Sequence, residues 1–155
     1  MSRKKNRLGL WRFLFWVYVL VMLGLLFDRP SDFTSQLPYA ELLKQNCNII
    51  PGYTIGNYLY VVIHRSNDDV LLHCMINLLG NVLLFIPAGL LMPKLWPKQR
   101  NFFRFFFTCA GAILAVEILQ LVTLLGSFDV DDLILNLLGM LLGFIWYHLK
   151  HPKKK

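Results

Sequence analysis

The chain has 155 residues, is 56% hydrophobic, and carries a mean hydropathy of +0.51 and a formal net charge of +7. That is too apolar for a small soluble domain, and the length suits a single one. The basic balance does not indicate nucleic-acid binding, because the cations flank apolar runs and no aromatic-basic reading surface accompanies them.

The first apolar run is Leu8 to Phe27, broken only by Arg12 and preceded by Arg3, Lys4, Lys5 and Arg7. At about 1.5 Å per residue it reaches roughly 30 Å, the thickness of a bilayer core. Arg12 sits near one end and can snorkel out. The start resembles a signal peptide, but the run is too long and lacks a small-x-small cleavage site, so it reads as a retained span.

The segment from Asp28 to Val70 follows. SQLPYAELLKQN suits a short helix after Ser35 with Pro38 near its first turn. NIIPGYTIGNYLYVVIH mixes apolar and aromatic residues with Gly and Pro. That composition suits an amphipathic segment in the membrane interface, a re-entrant one, or an ordered surface loop with buried anchors.

The second span is expected over 71–92, the third over 105–126 and the fourth over 132–149. Lys94, Lys98, Arg100 and Arg104 lie between the second and third; Lys150, Lys153, Lys154 and Lys155 follow the fourth. Cations in alternate loops place both termini and the Pro93–Arg104 loop in the cytoplasm. The acids agree, since Asp28, Asp32, Glu41, Asp68, Asp69, Asp129, Asp131 and Asp132 all fall on the other side. The reading is an all-α, multi-pass protein of the cytoplasmic membrane. It has four transmembrane helices and an amphipathic or re-entrant outer segment between the first two. The three cysteines, Cys47, Cys74 and Cys109, have no paired spacing and read as packing residues.

The side chains that a bilayer rejects fall into register. His73, Asn77 and Asn81 share one face of the second span; Glu117 and Gln120 share a face of the third; Asp132 and Asn136 share a face of the fourth. Counting along each helix puts Asn77 about 9 Å deep, Asn81 about 15 Å, Gln120 about 9 Å, Glu117 about 13 Å and Asn136 roughly 6 to 8 Å. All lie in the outer half. If these faces meet, they form a polar pocket open to the outside, with Asp129 and Asp132 at its rim. Glu117 at that depth must be protonated, hydrogen-bonded to Asn or Gln, or holding a cation. The plainer readings are interhelical hydrogen bonds for the amides and solvated turn residues for Asp129 and Asp131, with Asp131 or Asp132 capping the fourth helix. Gly80, Gly89, Gly139 and Gly143 read as helix-packing positions, and Pro87 as a kink. His73 reads as an interfacial or packing histidine.

NLLGNVLLFIPAGLLMP in the second span, VEILQ in the third and SFDVDDLILNLLGMLLG across the last turn resemble the VanZ-like family of membrane proteins. NIIPGYTI resembles that family's Asn-Leu-Ile-Pro-Phe segment. The resemblance covers about 48–146 and implies one VanZ-like membrane domain over 1–155. The matching positions are Asn77, Gly80, Asn81, Pro87, Glu117, Gln120, Asp129, Asp132 and Asn136. Three departures stand out. Gly52 replaces the usual aromatic, Leu137 replaces the Thr that commonly follows the Asn, and Gly126-Ser127-Phe128 lacks an Arg often found there.

The resemblance implies altered susceptibility to teicoplanin, a lipid-bearing glycopeptide antibiotic. The leading expectation is a non-catalytic protein acting through the outward polar pocket. The alternative is a membrane-embedded enzyme on a lipid-linked cell-envelope substrate, using Glu117, Asp129 and Asp132 as acid and base or around a divalent cation. No nucleophile elbow, phosphate loop or His-rich metal motif supports catalysis, and no cofactor is evident. A small ion-coupled carrier ranks third, for want of an inverted repeat. The partners expected are the lipid bilayer and either a lipid-linked envelope precursor or a lipoglycopeptide; an oligomer is compatible with this, and nucleic acid is not a partner.

Overall fold

In the computed structural model, residues 2–27, 37–64 and 68–152 are described. The chain order is α1 (Ser2–Phe27), α2 (Tyr39–Gln45), β1 (Cys47–Asn48), α3 (Tyr53–His64), α4 (Asp68–Leu95), a 3₁₀ turn (Pro97–Arg100), α5 (Phe102–Thr123), β2 (Phe128–Asp129) and α6 (Val130–Lys150). Helices α1, α4, α5 and α6 are the 4 described helices long and apolar enough to cross a membrane. Asp28, Asp32 and Ser35 lie outside the described residues, as do Lys153, Lys154 and Lys155. The helix expected after Ser35 is α2, with Pro38 directly before it.

Hydrogen bonds between helices fix their directions. Arg12 Nη2 donates to the Leu95 carbonyl at 3.2 Å, Tyr18 donates its hydroxyl to the Leu84 carbonyl, and Gln120 Nε2 donates to the Leu26 carbonyl at 2.8 Å. Helix α1 therefore runs antiparallel to α4 and parallel to α5. Helix α5 is antiparallel to α6, with the Phe105 and Phe144 rings 4.4 Å apart near one end and Glu117 against Asp129 near the other. The start of α1 and the end of α6 share one end of the bundle.

The tightest pair is α4 with α6, and small residues make it so. A Cβ built on Gly139 would collide with the Val82 carbonyl, one on Gly143 with the Ile86 carbonyl, and one on Gly89 with the Met140 carbonyl. The two backbones touch, which places groups on facing positions within hydrogen-bond reach. Close approach of this kind is how helices gain van der Waals contact where lipid is as apolar as their side chains. Gly80 does not share in it: a Cβ there would meet only Ile76 of its own helix, at 4.0 Å. Helix α4 runs unbroken through Pro87 and Pro93.

Phe15, Met22, Phe85, Ala88, Leu95, Phe105, Cys109, Ile113, Met140 and Phe144 form the core. Leu10, Phe13, Leu20, Phe107, Leu142 and Leu149 point outward instead. Such faces suit a hydrocarbon solvent rather than water. Cys74 and Cys109 are buried and Cys47 is exposed in β1.

The helix ends depart from the expected ones for local reasons. Helix α5 starts at Phe102 because the Asn101 side chain accepts from Arg104 N at 3.1 Å. It stops at Thr123 because Leu124 takes a left-handed conformation, φ 55°. Helix α6 starts at Val130 because Asp129, rather than Asp131 or Asp132, is its N-cap. The basic residues before Leu8 continue α1 toward Ser2.

Candidate functional site

The turn from α5 into α6 is tied to the segment between α1 and α4. Strand β2 pairs with β1 in parallel, with Asn48 opposite Asp129, and Phe128 N donates to the Asn46 carbonyl at 2.8 Å. This two-residue ladder is not among the expectations from the sequence. It sets Asp129 directly against NIIPGYT.

Asp129 is surrounded by donors. Its carboxylate accepts from Asp131 N at 2.8 Å, from Thr54 Oγ1 at 2.5 Å, and from Asn48 Nδ2 at 3.3 Å to each oxygen. The first of these caps α6. Asn48 is held in turn, its Oδ1 accepting from Ile50 N at 3.2 Å. Asp131 is 0% exposed. Its two oxygens accept from Gly52 N at 2.6 Å and Ile55 N at 3.0 Å. Those amides belong to the first turn of α3 and the residue before it, where backbone N–H groups have no partner within the helix and the dipole favours an anion. Asp131 thus caps α3 from another helix. Gly52 has φ +83°, a conformation that glycine adopts without steric cost, and this turns its N–H toward Asp131.

Beneath this bracket lie the remaining polar groups. Glu117, 2% exposed, accepts from Asp129 N at 3.2 Å through Oε2. Asn81 Nδ2 donates to Asp132 Oδ1 at 2.5 Å. Asn136 is also 2% exposed, one turn along α6 from Asp132, and its Oδ1 has no hydrogen-bond partner among the described residues. Helix α5 therefore meets the start of α6 through Glu117 and Asp129, and α4 meets α6 through Asn81 and Asp132, on the α6 that packs closely on α4 at Gly139 and Gly143.

Two expected members take other places, and two more are buried rather than at an open rim. Gln120 reaches α1, where it satisfies one of the last carbonyls of that helix; Gly126 leaves it room, since a Cβ there would stand 3.0 Å from its Nε2. Asn77 turns its amide nitrogen to His73, 3.1 Å from the ring Nε2 and 3.0 Å from the carbonyl. Asp129 and Asp132, expected at an open rim, are both buried. Asp129 is internal because a segment 75 residues away in sequence folds over it, and Asp132 because it faces Asn81 of α4.

Asp131, Asn48, Thr54 and Gly52 are absent from the expected site. Asp131 lies off the Asp132–Asn136 face, and its partners are backbone amides of α3, so helical spacing does not reveal it. Asn48 and Gly52 stand in NIIPGYT, whose Asn and Pro-Gly chemistry signals a turn but not what the turn covers.

Chemically, the region is rich in acceptors. The Asp129 carboxylate accepts from Asp131 N, Thr54 and Asn48, and the Asp131 carboxylate from Gly52 N and Ile55 N, so both hold the α3 and α6 starts in place. Among the described residues no group of three or more His, Cys, Asp or Glu is arranged to hold a metal ion. Glu117, Asp132 and Asn136 also contribute buried oxygens, and Asn136 Oδ1 still requires a donor.

A family model described as VanZ/LLP1 matches residues 15–151. A protein named VanZ, from Enterococcus faecium, is 35% identical over 142 residues, covering 90% of this chain and 75% of that protein. No solved structure matches the chain.

Proposed function

The chain belongs to the VanZ/LLP1 family, and from that premise we propose that it alters susceptibility to lipid-bearing glycopeptide antibiotics of the teicoplanin type, without catalysis. It is a multi-pass membrane protein, with 4 helices able to span. In this reading both termini are cytoplasmic, because Arg7, Arg12, Lys94, Lys98, Arg100, Arg104 and Lys150 gather at the end of the bundle opposite the acids. Helix α3 then lies in the outer interface. It has no buried residue and exposes Leu59, Tyr60 and Ile63, and 12 residues are too few to span.

The observation that carries the site is the orphan Asn136 Oδ1, buried beside the Asn81–Asp132 pair. A buried acceptor without a donor costs about 1–3 kcal/mol, and it is kept here in the outer half of the bundle. Glu117, Asp132 and Asn136 together offer oxygens to a hydrogen-bond donor or cationic group of an amphiphile entering from the outer leaflet. The lipid tail of such a drug brings it to that depth, and a glycopeptide lacking the tail stays in water. The engagement of the Asp129 carboxylate by Asn48, Thr54 and the α6 cap supports this reading over the acid–base alternative.

Expression in a susceptible Gram-positive host tests the reading. The inhibitory concentration of teicoplanin should shift more than that of vancomycin, which has no lipid tail. Equal shifts, or none, overturn it.

A further inference from the structure

The opposite end of the bundle holds a second candidate site. Phe15 and Trp16 of α1, Met92 of α4, and Trp96 and Gln99 line a cleft of about 230 Å³. Its aromatic walls brace one another: Phe15 and Trp96 meet edge to face at 5.0 Å, and Trp16 and Trp96 at 6.3 Å. Trp16 is itself exposed, so one wall borders the surroundings of the bundle. This is a small cleft, below the roughly 300 Å³ at which drug-sized pockets begin, and its largely apolar lining suits an alkyl chain.

Two observations say what kind of molecule carries that chain. Gln99 donates through Nε2 to Thr108 Oγ1 at 3.3 Å, while its Oε1 is buried without a partner among the described residues. A buried acceptor calls for a donor. Arg12 lies with its guanidinium carbon 6.0 Å from the centroid of the Trp96 ring and gives one N–H to Leu95; a guanidinium has five. Arg7, Lys94, Lys98, Arg100 and Arg104 surround the same end, and no Asp or Glu occurs in 89–116 or 133–152. The field is positive throughout.

We propose that this cleft binds one anionic glycerophospholipid with a hydroxyl-bearing headgroup. A chain segment fills the slot between Phe15, Trp16 and Trp96. The phosphate rests on Arg12, and a headgroup hydroxyl donates to Gln99 Oε1. Basic pockets between helices at the membrane surface recognise anionic lipids in this way. The proposal needs only a bilayer around the bundle and does not depend on the antibiotic reading.

Full-length protein, purified in mild detergent and stripped of native lipid, is offered phosphatidylglycerol, phosphatidylethanol and phosphatidylcholine with identical chains; phosphatidylethanol is a phosphodiester of the same charge as phosphatidylglycerol with no headgroup hydroxyl. Native mass spectrometry then counts the lipid retained. Wild type should retain phosphatidylglycerol about fivefold over phosphatidylethanol, the value of one hydrogen bond, and at least as strongly over phosphatidylcholine. Gln99→Leu should bring the first ratio to about one. Arg12→Gln, which keeps a donor for Leu95, should lower the preference over phosphatidylcholine about fivefold. Equal retention of all three lipids by wild type overturns the proposal. So does a phosphatidylglycerol to phosphatidylethanol ratio unmoved by Gln99→Leu, or a lipid-free dimer mass, which would make a second copy the occupant. If Gln99→Leu is not monodisperse, Gln99→Glu takes its place and should reduce both anionic lipids; unchanged retention overturns the proposal equally.

Discussion

Removing the Asp131 carboxylate should destabilise the protein without touching the Glu117 region. In Asp131→Ala, the Gly52 and Ile55 amides, now 2.6 and 3.0 Å from its oxygens, lose their acceptors in a site that is 0% exposed. Each stranded N–H costs about 1–3 kcal/mol. Loss of the anion at the start of α3 adds about 0.3–1 kcal/mol. The sum, about 2–7 kcal/mol, is a large part of the roughly 5–15 kcal/mol that holds a domain folded. Thermal unfolding in detergent, followed by thiol reactivity of buried Cys74 and Cys109 in a Cys47→Ser background, reads it directly. A fall in Tm of about 10 °C is expected, at roughly 2–4 °C per kcal/mol for chains of this size. Asp69→Ala, at an exposed position in the first turn of α4, should change stability by no more than about 0.5 kcal/mol. If the two variants melt together, the capping of α3 by Asp131 contributes nothing and the reasoning fails.

Gly139→Ala should cost about 1–3 kcal/mol by forcing apart the α4 and α6 backbones, whereas Gly80→Ala should be neutral or stabilising by up to about 1 kcal/mol; thermal melts of the two variants compare them, and equal melts would contradict the backbone contact at Val82. Single cysteines at Asp68 and Ser127, in a background without Cys47, Cys74 and Cys109, should react with an impermeant label from outside intact cells. One at Gln99 should not, and its external labelling would reverse the assigned orientation.

The spans are legible because an apolar run long enough to cross a bilayer has little other use in so short a chain. Their ends are not, since a side-chain cap at Asn101 and a left-handed Leu124 are single-residue events inside an apolar run. Glu117, Asn81, Asp132 and Asn136 stand out because polar groups at helical spacing are costly in hydrocarbon. Gln120 shares the Glu117 face, yet it reaches the Leu26 carbonyl, because spacing tells which residues lie together on a helix and not which helix lies beside them. Asp131 is hidden for a related reason. Its partners are backbone amides 76 and 79 residues away, and backbone groups leave no mark in the sequence. The same contacts turn the expected acidic rim into a buried bracket.

The central claim is that oxygens at Glu117, Asp132 and Asn136 act on a ligand rather than merely joining helices. Glu117→Gln keeps the size and an acceptor for Asp129 N, and removes only ionisation. The teicoplanin inhibitory concentration should be measured for cells carrying this variant, the wild type and an empty vector, with membrane abundance matched by quantitative immunoblot. The account predicts that Glu117→Gln accumulates normally and falls to the empty-vector value. A fully active Glu117→Gln protein at wild-type abundance would contradict it and leave helix packing as the role of the carboxyl.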